Sequence, residues 1–364
     1  MAPRHLRRPR GATLRTALVA LGVLVAGASA GAGGVLVEDG RLRVGAGDAA
    51  EEPGTARLVP EPGPITLALL GDVRIDGAAA ARLGGSADDL LGPWAAELRD
   101  ADLAVGNLEV PVVDGSVPVD GATPVEPGAV LDALAAAGLD VVSVANDHGL
   151  ERGPGALYET LTLEDARPDM VVGVGTDEAQ AYAPAVREVG GTTVAVLAAT
   201  HLLPPERIAD STAGPDRPGL ASAKRVDRLV AEVAAAREQA DIVVVVLHWG
   251  VDGEPCPTTG QRELASALIE AGADIVAGSG ARVVLGAGRS GDALVAYGLG
   301  AAVGGTDGEE AGLLLVRIDD GEVQAHEWRP GRLDGGIAEP RTGDEAGIVL
   351  VDWDRRRECA GLDP

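Results

Sequence analysis

From residue 65 onward the chain alternates apolar runs of strand length with stretches whose apolar residues recur at helical spacing. The runs are ITLALL (65–70), LAVGNLE (103–109), VVSV (141–144), DIVVVVLHWG (241–250), ADIVAGSG (273–280) and ALVAYGLG (293–300). Helical spacing falls at 87–98, 130–137, from about 155, at 226–239 and at 261–271. Strands apolar on both faces, alternating with helices, predict a sheet covered by helices. Two hairpin signals break the rhythm, Gly190-Gly191 and Asp320-Gly321, and add antiparallel pairs. The expectation is one α/β domain with mixed sheets over residues 64–342. ITLALL is expected to stop at Gly71-Asp72, and residues 343–364 are left as a C-terminal tail.

Upstream the pattern differs. Arg4, Arg7, Arg8, Arg10 and Arg15 precede an apolar or small run at 17–28, followed by Ala-Ser-Ala at 28–30. A basic region, a short apolar region and a small-x-small site describe a secretory signal peptide or, uncleaved, an N-terminal anchor over residues 1–30. The run is shorter than the roughly 20 residues of a full membrane span. Residues 31–63, rich in Gly, Pro, Ala and acid, read as a flexible linker, with a short strand near 35–44. The rest of the chain is then expected outside the cytoplasm, secreted or anchored to the membrane. Cys256 and Cys359 are permitted a disulfide there, but the sequence leaves their pairing open and offers no zinc spacing.

Composition narrows the partners. A formal charge of −26 argues against nucleic acid, which needs a basic face. Phe is absent, so the core falls to Val, Leu, Ala and Ile. Polar residues collect where the apolar runs end: Asp72, Asn107 with Glu109, Asn146-Asp147-His148, and His248. Ligand sites in α/β sheets form outside the carboxyl ends of strands. Each group alone has a plainer reading, since Asn-Asp-His-Gly is a sound turn and a histidine can sit satisfied in a core. Together they suit divalent-metal binding, with a second histidine handling protons. His201, after another strand, is a weaker candidate to line the cleft, as is Trp249; His326 reads as structural.

The segments GDVRIDG, ADLAVGNLEVPV, LAAAGLDVVSVANDHGLERGPGALYETL, GVGTDEAQAYAPAVREVGGTTVAVLA, ADIVVVVLHWG and LIEAGADIVAGSGARVV with VAYGLG follow one another in an order and spacing that resembles the CapA family. These are capsule or poly-γ-glutamate synthesis proteins with a calcineurin-like, metallophosphoesterase-like domain. The resemblance implies a four-layer α/β/β/α sandwich with mixed sheets and a metal site at the strand ends. It makes Asp72, Glu109, Asp147 and His248 metal ligands, His148 the proton donor to a leaving oxygen, and Asn107 and Asn146 binding residues. It also implies a cell-surface polymer, or its membrane-bound synthesis complex, as partner.

Departures from the family pattern matter as much. A Gly-His-His-Pro-His-Val segment reads Gly278-Ser279-Gly280-Ala281-Arg282-Val283 here, and a Met two residues after the first Asp reads Arg74. The family's Tyr-Ser-Leu-Gly-Asn-Phe has become residues 297–302, YGLGAA. A binuclear site is therefore short of imidazoles. Two expectations stand. In one, a degenerate site binds an anionic group without hydrolysing it, with Arg74, Ser279 and Arg282 among the binding residues and the arginines standing in for metals. In the other, one manganese or magnesium ion, favoured over zinc by the hard oxygens, serves an active phosphoesterase.

Overall fold

A computed structural model describes residues 36–38, 41–43, 63–75, 77–83, 85–109, 127–148 and 154–364. The signal or anchor expected at 1–30 lies outside the described residues, as does most of the linker. Two short strands, β1 (Leu36–Glu38) and β2 (Arg41–Arg43), pair antiparallel as a unit of their own. No helix among the described residues is long and apolar enough to cross a membrane.

The main unit opens with β3 (Ile65–Arg74), α1 (Gly77–Arg82), α2 (Ala87–Leu91), α3 (Trp94–Asp100), β4 (Leu103–Glu109), α4 (Pro127–Ala136) and β5 (Val141–Ser143). It continues through α5 (Pro154–Ala166), β6 (Val171–Val172), β7 (Val174–Gly175), α6 (Glu178–Tyr182), β8 (Ala185–Val189) and β9 (Thr192–Thr200). Next come α7 (Ile208–Ser211), β10 (Gly219–Leu220), α8 (Val226–Arg237), β11 (Ile242–His248), α9 (Thr259–Ala271) and β12 (Ile275–Ser279). The last part holds β13 (Val284–Ser290), β14 (Ala293–Leu299), β15 (Ala301–Val303), β16 (Glu310–Asp319), β17 (Glu322–Asp334), β18 (Ile337–Pro340) and α10 (Gly343–Ala360).

These strands form an eight-stranded sheet, β15-β18-β17-β16-β3-β4-β5-β6, and a six-stranded sheet, β13-β14-β12-β11-β9-β8. The six-stranded sheet has a parallel centre with an antiparallel strand at each edge, and the eight-stranded sheet has a parallel half, β3 to β6, joined to an antiparallel half at β16. Period-two alternation assigns the layers. Leu67, Leu69, Leu103, Val105 and Val141 meet Val194, Val244, Val246 and Ile275 between the sheets. Ala68, Leu70, Ala104 and Val142 pack beneath Trp94, Leu131 and Leu134 on one outside. Val243, Val245 and Leu247 pack beneath Leu229, Val233, Leu264 and Leu268 on the other. The result is the four-layer α/β/β/α sandwich with mixed sheets expected from the resemblance.

Local details depart from the sequence pattern. The helix expected over 87–98 is two, interrupted at Gly92-Pro93, where Gly92 takes φ +57°. The strand expected to stop at Gly71-Asp72 runs on to Arg74. It does so through a bulge: Leu69 faces Val105 and Asp72 faces Asn107, so three steps on β3 match two on β4. The extra residue reverses the alternation. Asp72 thereby points between the sheets, and Val73 joins the helix-side core. Gly71 is required at that bulge, because a Cβ there would stand 2.0 Å from the Gly300 carbonyl oxygen. Residues after 342, left as a tail, form α10, whose Trp353 stacks on Trp328 with centroids 5.9 Å apart. Cys256 and Cys359 form a disulfide with Cα atoms 5.9 Å apart, tying α10 to the segment before α9.

Candidate functional site

The same alternation delivers the polar residues. On β4, Leu103 and Val105 face the inter-sheet core, so Asn107 and Glu109 do too. On β11, Ile242, Val244 and Val246 face it, so His248 follows. On β12, Ile275 and Ala277 face it, so Ser279 follows. Four parallel strand ends, with the turn after β5, meet at one edge between the two sheets. Asp72, Asn107, Glu109, Asn146, His248 and Ser279 are all buried.

Asn107 is the hub. Its Nδ2 donates to Asp72 Oδ1 at 2.7 Å and lies 3.1 Å from His248 Nδ1, while its Oδ1 accepts from Asn146 Nδ2 at 3.3 Å. Asn146 also donates to the Leu108 carbonyl at 2.9 Å. His248 Nε2 lies 3.0 Å from Asp147 Oδ1. A carboxylate only accepts, so Nε2 carries a proton. Nδ1 then turns toward Asp72 Oδ1 at 3.7 Å, Glu109 Oε1 at 3.6 Å and Ser279 Oγ at 3.2 Å. The Gly280 N–H donates to Asp72 Oδ2 at 3.1 Å.

Electrostatics follow from this crowding. Burial, then the charge of Asp72, pushes the Glu109 carboxyl up to about 8, against His248 and Arg74. Burial opposes a charged imidazole at His248, yet Asp147, Asp72 and Glu109 raise it to about 9. Burial likewise acts to raise Asp147, but the hydrogen bond and charge of His248 carry its carboxyl below the ordinary value. A charged imidazole needs an acceptor at Nδ1, which Ser279 Oγ provides; a neutral one offers Nδ1 a lone pair and accepts from Asn107. The choice depends on whether a second cation sits among the carboxylates.

The donor set fits one such cation. Asp72, Glu109 and His248 each present one ligand atom, all within 4.8 Å of one another, the metal-type cluster found among the described residues. Asp147 stands apart from the three, on the far nitrogen of His248, where a carboxylate orients a ligating imidazole. Arg74 reaches Glu109 Oε2 at 3.2 Å and His148 Nε2 at 3.4 Å, and His148 Nε2 is also 3.4 Å from Glu109 Oε2. A bare Nε2 accepts from the arginine, and a protonated one donates to the carboxylate. Arg282, expected beside Arg74, turns instead to Glu309 at 2.9 Å and Asp252 at 3.7 Å. Both arginines line a cavity of about 10 Å³, room for one water. Glu309 and the Gly280 amide were not singled out from sequence. Glu309 sits in an ordinary acidic loop, and a backbone amide carries no residue signal.

Residues 66–306 match the family of bacterial capsule synthesis proteins described as PGA_cap, and the chain belongs to that family. It is 26% identical over 263 residues to the capsule biosynthesis protein CapA of Bacillus anthracis, covering 67% of this chain and 61% of that protein. It is 32% identical over 140 residues to the PGA biosynthesis protein CapA of Bacillus subtilis strain 168, covering 38% of this chain and 35% of that one. The chain thus spans about three fifths or less of the length of these two relatives. A solved 5'-nucleotidase from Candida albicans SC5314 is similar over 82% of this chain and 59% of its own, at 8% identity and a TM-score of 0.45.

Proposed function

We propose that this chain is an exported accessory protein of cell-surface polymer synthesis, of the poly-γ-glutamate type its relatives are named for, with a degenerate site that holds one divalent ion and binds an anionic group without hydrolysing it. The observation that carries the reading is the end of β12. Ser279 Oγ and the Gly280 amide answer His248 and Asp72 as hydrogen-bond partners, where the family resemblance expects imidazole ligands. That leaves Asp72, Glu109 and His248 for a single ion. Two carboxylates and one imidazole favour manganese or magnesium over zinc. When bound, such an ion supplies positive charge for an anionic oxygen. Asp147 orients His248, and Arg74 adds a fixed charge beside Glu109. The disulfide supports an oxidising compartment, in line with a signal or anchor at 1–30.

The test is metal content and turnover of the purified full chain. Elemental mass spectrometry after manganese loading and dialysis should give about one ion per chain, lost in His248→Ala. Bis(p-nitrophenyl) phosphate should not be hydrolysed above the buffer rate. Two ions per chain, or hydrolysis abolished by His148→Ala, would replace this reading with the phosphoesterase. The second reading retains one favourable observation, the contact of His148 with Glu109.

A further inference from the structure

The inter-sheet site uses only one face of the six-stranded sheet. One residue beyond His248 the alternation turns Trp249 to the opposite face, into the core beneath α8 and α9. There a cavity of about 520 Å³ opens beside the starts of both helices, within the size range of small-molecule pockets. From its geometry we infer that this cavity is a binding site for a carboxylate carried on an apolar body.

Gln261 makes the first argument. It is the third residue of α9 and completes a capping box: its Oε1 accepts from Thr258 N at 3.0 Å and Thr258 Oγ1 at 3.1 Å, and Thr258 Oγ1 accepts from Gln261 N at 3.2 Å. This fixes the amide, so its Nε2 points the other way, beside Gly250, where a Cβ would stand 3.5 Å from it. Gln261 is 6% exposed, and Nε2 has no hydrogen-bond partner among the described residues. A buried donor left unpaired is costly, and both Gly250 and Gln261 line the cavity. Nε2 is closed to water-sized contact behind the cavity wall, so a small shift of that wall would let an acceptor in the cavity reach and relieve it.

Charge makes the second argument. Lys224, the one lysine in a chain of net charge −26, lines the same cavity and has no ion-pair partner among the described residues. The first turn of α9, including Gly260, opens onto it, and first-turn amides favour anions. His201 completes the polar wall; burial and Lys224 hold its imidazole below the ordinary value, which leaves it a neutral donor. Trp249, Val251 and Leu264 make the rest apolar, and Glu263 contributes a negative group. One lysine against one glutamate, with amide donors and apolar walls, suits a monoanion better than a dianionic phosphate. The inference stands whether or not the inter-sheet site holds a metal.

The experiment titrates the purified, isotope-labelled full chain with butyrate. Butylamine, with the same apolar body and opposite charge, and inorganic phosphate are the comparison arms. The readouts are the Gln261 side-chain amide and Trp249 indole resonances. Butyrate should shift both saturably, phosphate should bind more weakly, and butylamine should not compete. Lys224→Ala should weaken butyrate by about fivefold or more. Gln261→Glu keeps an acceptor for the capping box while replacing the donor with a negative group. Burying that group should lower the thermal midpoint, but the folded variant, still held by its capping box, should weaken butyrate by about tenfold or more. Absence of saturable shifts, equal binding of butylamine, tighter binding of phosphate, or indifference to both substitutions would each overturn the assignment.

Discussion

His248 and Trp249 are neighbours in sequence, yet they face two unlike environments at one strand end. On the inner side, carboxylates, amides and an imidazole lock into one another and leave about 10 Å³ of space. On the outer side, an apolar cavity of about 520 Å³ holds one orphan amide and one lysine. The contrast teaches what each side can receive. A filled, polar network of carboxylates that hold on to protons has room for a point charge that replaces those protons. A roomy, largely apolar cavity with convergent donors has room for an organic group. The alternation of a single strand separates the two.

The largest test of that separation is the disulfide. Cys256 lies in the segment between Val251 and Thr258, both of which line the outer cavity, and its partner is 103 residues away. Cys359→Ser should lower unfolding free energy by about 2–5 kcal/mol, as loop closure of that length implies, measured by urea denaturation. Butyrate affinity should fall with it, while manganese content stays near that of the parent. Loss of both would show that the two sides are not independent. Next in size is Asn107→Ala, which strips Asp72 of its 2.7 Å donor and disconnects Asn146. A loss of about 1–3 kcal/mol is expected, with the outer site unchanged. Smaller still in stability is Asp147→Asn, which keeps the shape but weakens the acceptor for His248 Nε2. It should reduce manganese affinity by about tenfold or more in competition with a chelating dye, with little change in folding. If Asp147 instead ligates the ion directly, the loss should match that of Asp72→Asn.

Much of this was legible in the chain. The apolar runs carried the strands, and the polar residues ending them carried the site, because period two places Asn107 with Glu109 and His248 with Val246 on one face. Both Gly-rich hairpins were legible for the same local reason: Gly190, Gly191, Asp320 and Gly321 all take positive φ, as their turns demand. What escaped depends on contacts distant in sequence. The bulge that aims Asp72 sits where Gly71 packs against the Gly300 carbonyl and the Asp72 N–H donates to it, across more than half the chain. Arg282 turns away from Arg74 because Glu309 and Asp252 claim it, and neither stands in a motif. The outer cavity is equally silent, since Gln261 reads as an ordinary helix residue until its cap fixes which atom is left over. The helix after residue 342 was missed because its apolar positions form a weak stripe, with Ile348 and Val351 exposed.

The smallest expected effect sharpens the inner side alone. Glu109 takes up its proton near 4.5 when unfolded and near 8 when folded, so between those values the folded state binds more protons. His248 does so between 6.5 and about 9. Stability falls with pH wherever the folded state holds the excess. The contribution of His248 is therefore complete below about 6.5 and lost as pH rises through about 9, while burial of Glu109 grows costlier from about 4.5 to 8. Chelator-treated protein should thus lose thermal midpoint from pH 7 to pH 9. An ion on Asp72, Glu109 and His248 displaces those same protons, so saturating manganese should flatten or reverse the slope. Butyrate, acting on the outer side, should raise the midpoint without changing that slope. A slope indifferent to manganese would mean that the carboxylates are neutralised by Arg74 and protons alone, and that the inner network is a polar core rather than a cation site.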